Sequence, residues 1–160
     1  MSKLTTFLWF DGKAEEAARF YASVFPNGKV GDVTYYGENM PLPAGTVLTA
    51  EFEIFGQAFV ALNGGPHFKF SEAVSFQIPC ENQAEVDRYW DTLIADGGEP
   101  GPCGWLKDRY GLSWQVTPTR LMQLLHDPDK AKADRATQAM MQMGKIDIAA
   151  IEAAAEGVPA

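Results

Sequence analysis

Arg19-Phe20-Tyr21-Ala22-Ser23-Val24-Phe25-Pro26-Asn27-Gly28 can be laid over Arg88-Tyr89-Trp90-Asp91-Thr92-Leu93-Ile94-Ala95-Asp96-Gly97 at a constant offset of 69 residues. The match is one of chemistry more than of letters. In both segments an arginine leads a pair of aromatics, an aliphatic residue follows one turn later, and a glycine closes the run. The first segment ends a helical stripe of Ala14, Ala17, Ala18, Tyr21, Val24 and Phe25. Asp11 or Gly12 can cap its start, and Gly28 lies past its end. The second ends a stripe of Val86, Tyr89, Trp90, Leu93 and Ile94, with Asn82 and Glu85 at capping-box spacing and Gly97 as the stop. The same offset lays Phe7, in the strand before the first helix, over Phe76 in the strand before the second.

Strand patterns follow each helix. Val30–Tyr36 is one. Thr46–Phe55 and Gln57–Leu62 read as a hairpin turning at Gly56. In the second half, Glu99–Leu106 is rich in Gly and Pro and has room only for a short strand. Asp108–Gly111 is a turn into the last strand, Leu112–Thr117. Gly56-Gln57-Ala58-Phe59-Val60 and Gly111-Leu112-Ser113-Trp114-Gln115 open the final strand of each half in similar ways. The chain therefore reads as an α+β protein with a βαβββ unit present twice, at about 1–66 and 67–118, within one domain.

Beyond Pro118 the pattern becomes helical, giving a C-terminal extension over 119–160. Thr119 can cap a short helix through Leu125. Asp127-Pro128 reads as the start of a longer helix to Met143, with Gly144 as its stop. Asp147 can cap a last helix, with Ile146 and Ile151 at staple spacing. The face formed by Ala136, Ala139, Met140 and Met143 has two expected partners: the chain's own sheet, or a second subunit.

The chain carries 46% hydrophobic residues and a net charge of −8, a globular composition that would repel nucleic acid and anionic membrane. No apolar run approaches a membrane span, and Met1–Phe10 lacks the features of a signal peptide, so a cytoplasmic setting is expected. Cys80 and Cys103 are then expected to stay reduced. Two cysteines cannot build a structural zinc cluster alone, and His67 and His126 stand at no ligand spacing.

Several stretches together resemble the vicinal oxygen chelate superfamily, the glyoxalase/bleomycin-resistance fold, and within it the PhnB-like branch that also carries a 3-demethylubiquinone methyltransferase label. They are Phe7–Tyr21, Leu62-Asn63-Gly64-Gly65-Pro66, Ser75–Cys80, Gln83–Trp90 and Trp105–Pro118, with Lys145–Ala149 similar to the tail of that branch. The resemblance implies a cup-shaped mixed sheet from paired βαβββ modules, commonly as a homodimer. It does not bring a nucleotide-type cofactor site, because no Gly-rich loop follows an early strand.

Metal-dependent relatives carry His or Glu on the first strand of each module and Glu on its last. By position those places fall near Thr5 or Thr6, near Ala73–Ser75, near Val60 and at Gln115. A neutral amide supplies one weak oxygen donor where a carboxylate supplies charge and two oxygens. No metal and no cofactor is therefore expected, and no catalytic residue is assigned. The expected ligand-binding residues are Trp9, Phe52, Asn63, Trp105 and Gln115, aromatic walls with a few polar points for a small, partly apolar molecule. Phe59 and Trp114 are aromatics expected in the core. Glu51 and Glu53 share one face of a strand, suited to solvent or, with a partner, to acid–base work. His67 lacks an acidic neighbour to orient it, and Cys103 lacks an adjacent cation to activate it. Two other readings follow from the same resemblance: a metal-dependent lyase, isomerase, dioxygenase or thiol transferase, and a dimeric resistance protein that sequesters a drug without chemistry.

Overall fold

The repeat seen in the helices extends to whole sheets. The computed structural model describes residues 3–158, and residues up to Phe70 and from Ser71 onward form separate units. In the first unit β1 (Thr6–Phe10), α1 (Ala14–Val24), β2 (Lys29–Tyr35), β3 (Val47–Ile54) and β4 (Gln57–Asn63) give a four-stranded sheet of order β1-β4-β3-β2. In the second, β5 (Ser75–Cys80), α2 (Gln83–Ile94), β6 (Glu99–Pro100), β7 (Trp105–Lys107) and β8 (Ser113–Pro118) repeat it as β5-β8-β7-β6. Both sheets are mixed. The first strand pairs parallel with the last, and the others run antiparallel. The fold is α+β, as the repeat implies.

Hydrophobic alternation sets which face each helix covers. In the first unit Leu8, Phe10, Ala50, Phe52, Ile54, Phe59 and Ala61 are buried together with Ala17, Ala18 and Tyr21 of α1. Phe52 stacks on Phe59 at 5.0 Å and lies 5.6 Å from the Tyr21 ring. The hairpin between β3 and β4 turns on Phe55 and Gly56, both at positive φ (50° and 70°). This is the backbone of a two-residue turn that follows the strand twist. In the second unit Ile78, Cys80, Leu106, Trp114 and Val116 fill the face toward Val86, Tyr89 and Leu93 of α2.

The helices repeat at an offset of 69, but the strands before them do not. Three residues join β1 to α1 and two join β5 to α2, so the strand offset is one residue larger. A one-residue slip reverses every side chain. Phe7 accordingly points away from the helix and is 60% exposed, whereas Phe76 points toward it and packs 5.6 Å from Trp114.

Helix starts also differ from expectation in instructive ways. Neither Asp11 nor Gly12 caps α1; its cap residue is Lys13, which makes no side-chain capping bond. The orphan N–H of Ala14 is met instead by Asn63 Oδ1 at 3.0 Å. Asn82 caps α2 as its spacing implies, accepting the Glu85 N–H at 2.9 Å, while Glu85 Oε2 accepts the N–H of Glu81. β6 and β7 form a hairpin where the Gly/Pro-rich stretch promised one short strand.

The extension comprises α3 (Thr119–Leu125), α4 (Lys130–Met141) and α5 (Ile148–Ala155). Thr119 is the first residue of α3 and not its cap; its hydroxyl donates to Cys80 O at 3.4 Å. Asp127 binds the Asp129 N–H at 2.9 Å, which delays α4 until Asp129 caps it. α4 also stops two residues before the expected Met143. Within the chain the Ala/Met face packs on the other helices of the extension. Ala136 shares a core with Leu121, Leu124, Ile146 and Ile151, and Ala139, Met140 and Met143 lie against it. The three helices thus cover one another. Gln83 ties them to α2, with Nε2 donating to Ile146 O at 3.0 Å and Oε1 accepting the Ile148 N–H at 2.9 Å.

Candidate functional site

Each sheet has a second face, turned away from its helix. In the second unit the strand register arranges that face in two rows. Ser75, Ser113, Lys107 and Glu99 pair across β5, β8, β7 and β6. Gln77, Gln115 and Trp105 form the next row on β5, β8 and β7. Side chains paired in this way stand about 5 Å apart at Cβ. Gln115 Nε2 donates to Ser75 Oγ at 2.9 Å, which fixes the amide diagonally across the two rows. Trp105 and Gln115 are thus direct neighbours, both half-buried.

Beside Trp105 the sheet surface sinks into a hollow of about 360 Å³ whose lining includes Glu72, Glu99, Cys103, Trp105, Lys107 and Ser113. Lys107 Nζ lies 2.6 Å from Glu72 Oε1. The pair holds the Glu72 carboxyl below, and the Lys107 ammonium above, their ordinary values. Ser113 is 1% exposed, and its Oγ is buried without a hydrogen-bond partner among the described residues. An unpaired buried hydroxyl costs free energy that a bound molecule can recover.

The other three expected ligand residues lie in the first unit and divide between its faces. Trp9 is on the face away from α1. Its Nε1 donates to Gly65 O at 2.8 Å, its ring meets Phe68 edge-on at 4.8 Å, and Gly64 lies close against the ring. A Cβ at Gly64 would stand 2.2 Å from that ring, so close approach, not positive φ, requires this glycine. Phe52, 3% exposed, is on the opposite face among the core aromatics. Asn63 is 2% exposed; besides the Ala14 bond its Nδ2 donates to Val47 O at 3.1 Å. Both ends of its amide are occupied by backbone.

Glu51 and Glu53 share the helix-free face of β3 and, with Lys29, border a second hollow of about 380 Å³. His67 is exposed, and His126 is exposed with its Nδ1 2.8 Å from Met122 O. Among the described residues no group of three or more His, Cys, Asp or Glu is placed to hold a metal ion. Thr5 and Thr6, Ala73–Ser75, Val60 and Gln115, at or near the places where metal-dependent relatives carry ligands, include no imidazole, carboxylate or thiol for a divalent cation. Cys103 lines the hollow beside Trp105. Cys80 is buried, which pushes its thiol up to about 12.

Strand alternation alone puts Ser113 on the face of Gln115, two residues on. Lys107 and Glu99 join them only through cross-strand register, which one sequence does not carry.

Comparison with known proteins agrees with this architecture. Residues 2–117 match the family model described as 3-demethylubiquinone-9 3-methyltransferase; α3, α4 and α5 lie beyond it. A structure described as a putative 3-demethylubiquinone-9 3-methyltransferase, PhnB protein, from Bacillus cereus is 37% identical, covering 73% of this chain and 99% of its own, with a TM-score of 0.65. Protein PA1353 from Pseudomonas aeruginosa is 21% identical over 74% of this chain and 98% of its own, at a TM-score of 0.60. The fosfomycin resistance protein FosX from Listeria monocytogenes is 16% identical over 74% and 93%, at 0.52. The last two likenesses are of fold. No curated protein matches the chain.

Proposed function

The chain belongs to the PhnB-like family of the vicinal oxygen chelate superfamily, the family whose model is described as 3-demethylubiquinone-9 3-methyltransferase, and from that footing we propose that it binds a small, partly apolar molecule without a metal. The ligand lies on the helix-free face of the second sheet. Trp105 is its apolar wall, and Gln115, its amide held by Ser75, is the polar point that orients it. The observation that carries this reading is the Trp105–Gln115 cross-strand pair, an aromatic ring beside an oriented amide on a surface the unit's own helix leaves uncovered. Trp9 extends the same type of surface in the first unit. Phe52 and Asn63 serve it indirectly, by holding the strands and helix that carry it.

Methyl transfer is not part of the proposal, since the β1–α1 link Asp11-Gly12-Lys13 holds a single glycine and offers no nucleotide-type cradle. The proposed setting is a cytoplasmic homodimer with both cysteines as thiols. No helix among the described residues is long and apolar enough to cross a membrane.

The test is a fragment library of small aromatic and alicyclic compounds, screened by protein-observed NMR on chelator-treated protein. Binders should shift the Trp105 indole N–H and the Gln115 side-chain amide. Trp105→Leu or Gln115→Leu should weaken them roughly tenfold. Binders that need added Mn or Zn, or that leave both signals unmoved, would defeat the reading. Sedimentation velocity tests the dimer.

A further inference from the structure

Charge and burial in the hollow beside Trp105 say more than that a ligand fits there. Glu99, Lys107 and Ser113 stand in one row across β6, β7 and β8, and Glu72 closes on Lys107 from the segment before β5. The single cation of the lining is therefore flanked by two carboxylates. One negative charge is left over, part of a chain net charge of −8. Lys107 is engaged by Glu72 at 2.6 Å, so its charge is offset before an anion arrives. The indole face of Trp105 attracts positive charge through its quadrupole. At the buried side, Ser113 Oγ has no partner and can accept a hydrogen bond.

Resting on the reading that this face binds a small molecule, we propose that the hollow selects an organic cation: a primary ammonium on a compact aromatic or branched aliphatic body. The body lies against Trp105. The ammonium gives one N–H to Ser113 Oγ and turns its charge toward Glu99, the carboxylate outside the close Lys107–Glu72 pair. Nothing is transferred or bonded covalently. A volume of about 360 Å³ suits a molecule the size of a single substituted ring.

Three probes with one ring and different charge separate the possibilities: phenethylamine, 2-phenylethanol and 3-phenylpropanoate, titrated by calorimetry and by NMR. The amine is expected to bind at least tenfold more tightly than the carboxylate, and to weaken as salt is raised. Glu99→Gln should reduce the preference for the amine over the alcohol several-fold while leaving the alcohol unchanged. Ser113→Ala should weaken both. Equal binding of amine and alcohol, or better binding of the carboxylate, would overturn the cation assignment and leave the small-molecule reading standing. Failure of all three, in protein whose circular dichroism is unaltered and whose Trp105 signal answers no other fragment, would overturn both. The Glu99 substitution is on an exposed edge strand, so loss of fold does not obscure it.

Discussion

Asn63, the last residue of β4, accepts the backbone N–H of Ala14, the first residue of α1, through its side-chain oxygen at 3.0 Å. The same amide donates to Val47 O on β3, and the Asn63 carbonyl accepts the Tyr36 hydroxyl at 2.6 Å. One buried side chain therefore joins two strands to a helix that lacks a cap of its own. Asn63→Ala leaves the buried donor of Ala14 and the half-buried acceptor of Val47 unpaired. It should cost about 2–4 kcal/mol, more than an ordinary helix cap. Asn63→Asp keeps the acceptor for Ala14 but removes the donor to Val47 and should cost less at low pH than at neutral pH. Urea denaturation of both variants at pH 5 and pH 7.5 checks the order.

That bond also marks where sequence reading stopped. The two helices and the two βαβββ units were legible because period-3.6 stripes and closing glycines are local patterns. Asn63 was legible as a turn residue beside Gly64, but not as a helix cap 49 residues from its target. Contacts of that span depend on strand register. The Phe7–Phe76 match failed for the same reason: one extra residue before α1 reverses a strand without altering the helical stripe. Of the five expected ligand residues, Trp105 and Gln115 come together because both alternate outward on adjacent strands. Phe52 looks identical in pattern to an outward aromatic until the parity of β3 is known.

Asp108 anchors the turn into β8. Its Oδ1 accepts the N–H of Tyr110 at 2.8 Å and of Leu112 at 3.1 Å, and its Oδ2 accepts the Trp114 indole N–H at 2.8 Å, all with 1% of the residue exposed. Asp108→Ala strands those three donors and should destabilise by at least about 3 kcal/mol. Asp108→Asn can still serve the two amides, but its NH₂ then faces the indole N–H, so the cost should be roughly half as large. Near-ultraviolet circular dichroism of Trp114 should change in both, and denaturant midpoints should rank wild type, Asn, Ala.

The two thiols should differ sharply. Burial is the first cause that pushes Cys80 up to about 12, with the nearby Glu85 carboxylate adding to it. At pH 8 it is both protonated and inaccessible. Cys103 is only half-buried and lines the hollow beside Trp105. An aromatic disulfide reagent should therefore release one equivalent quickly and the second only with denaturant. Cys103→Ser should abolish the fast phase, whereas a fast phase surviving in that variant would contradict the burial of Cys80.

Acid should loosen the extension before it loosens the sheets. Asp87 is held below its ordinary 3.8 first by the Gln83 amide and then by Lys145, whose Nζ is 3.0 Å away. Glu156 is held below its ordinary 4.5 by the hydrogen bond and charge of Lys132, at 2.7 Å. A carboxyl with a lowered folded-state value stabilises fully above its unfolded value, and that stabilisation is lost as pH falls through the folded one. Both pairs connect or brace the extension, whereas β5 and β8 present an apolar face of Ile78, Cys80, Trp114 and Val116 to α2. Hydrogen exchange should show residues 146–157 losing protection between pH 5 and pH 3 while residues 113–118 keep theirs. Gln83→Met removes the amide that lowers Asp87 and also frees the Ile146 carbonyl and the Ile148 N–H. In that variant the extension should already be loosened at pH 6, and acid should add little. Equal loss in both segments would show that the extension and the second sheet unfold as one unit, and the latch at Gln83 would then have no separate role.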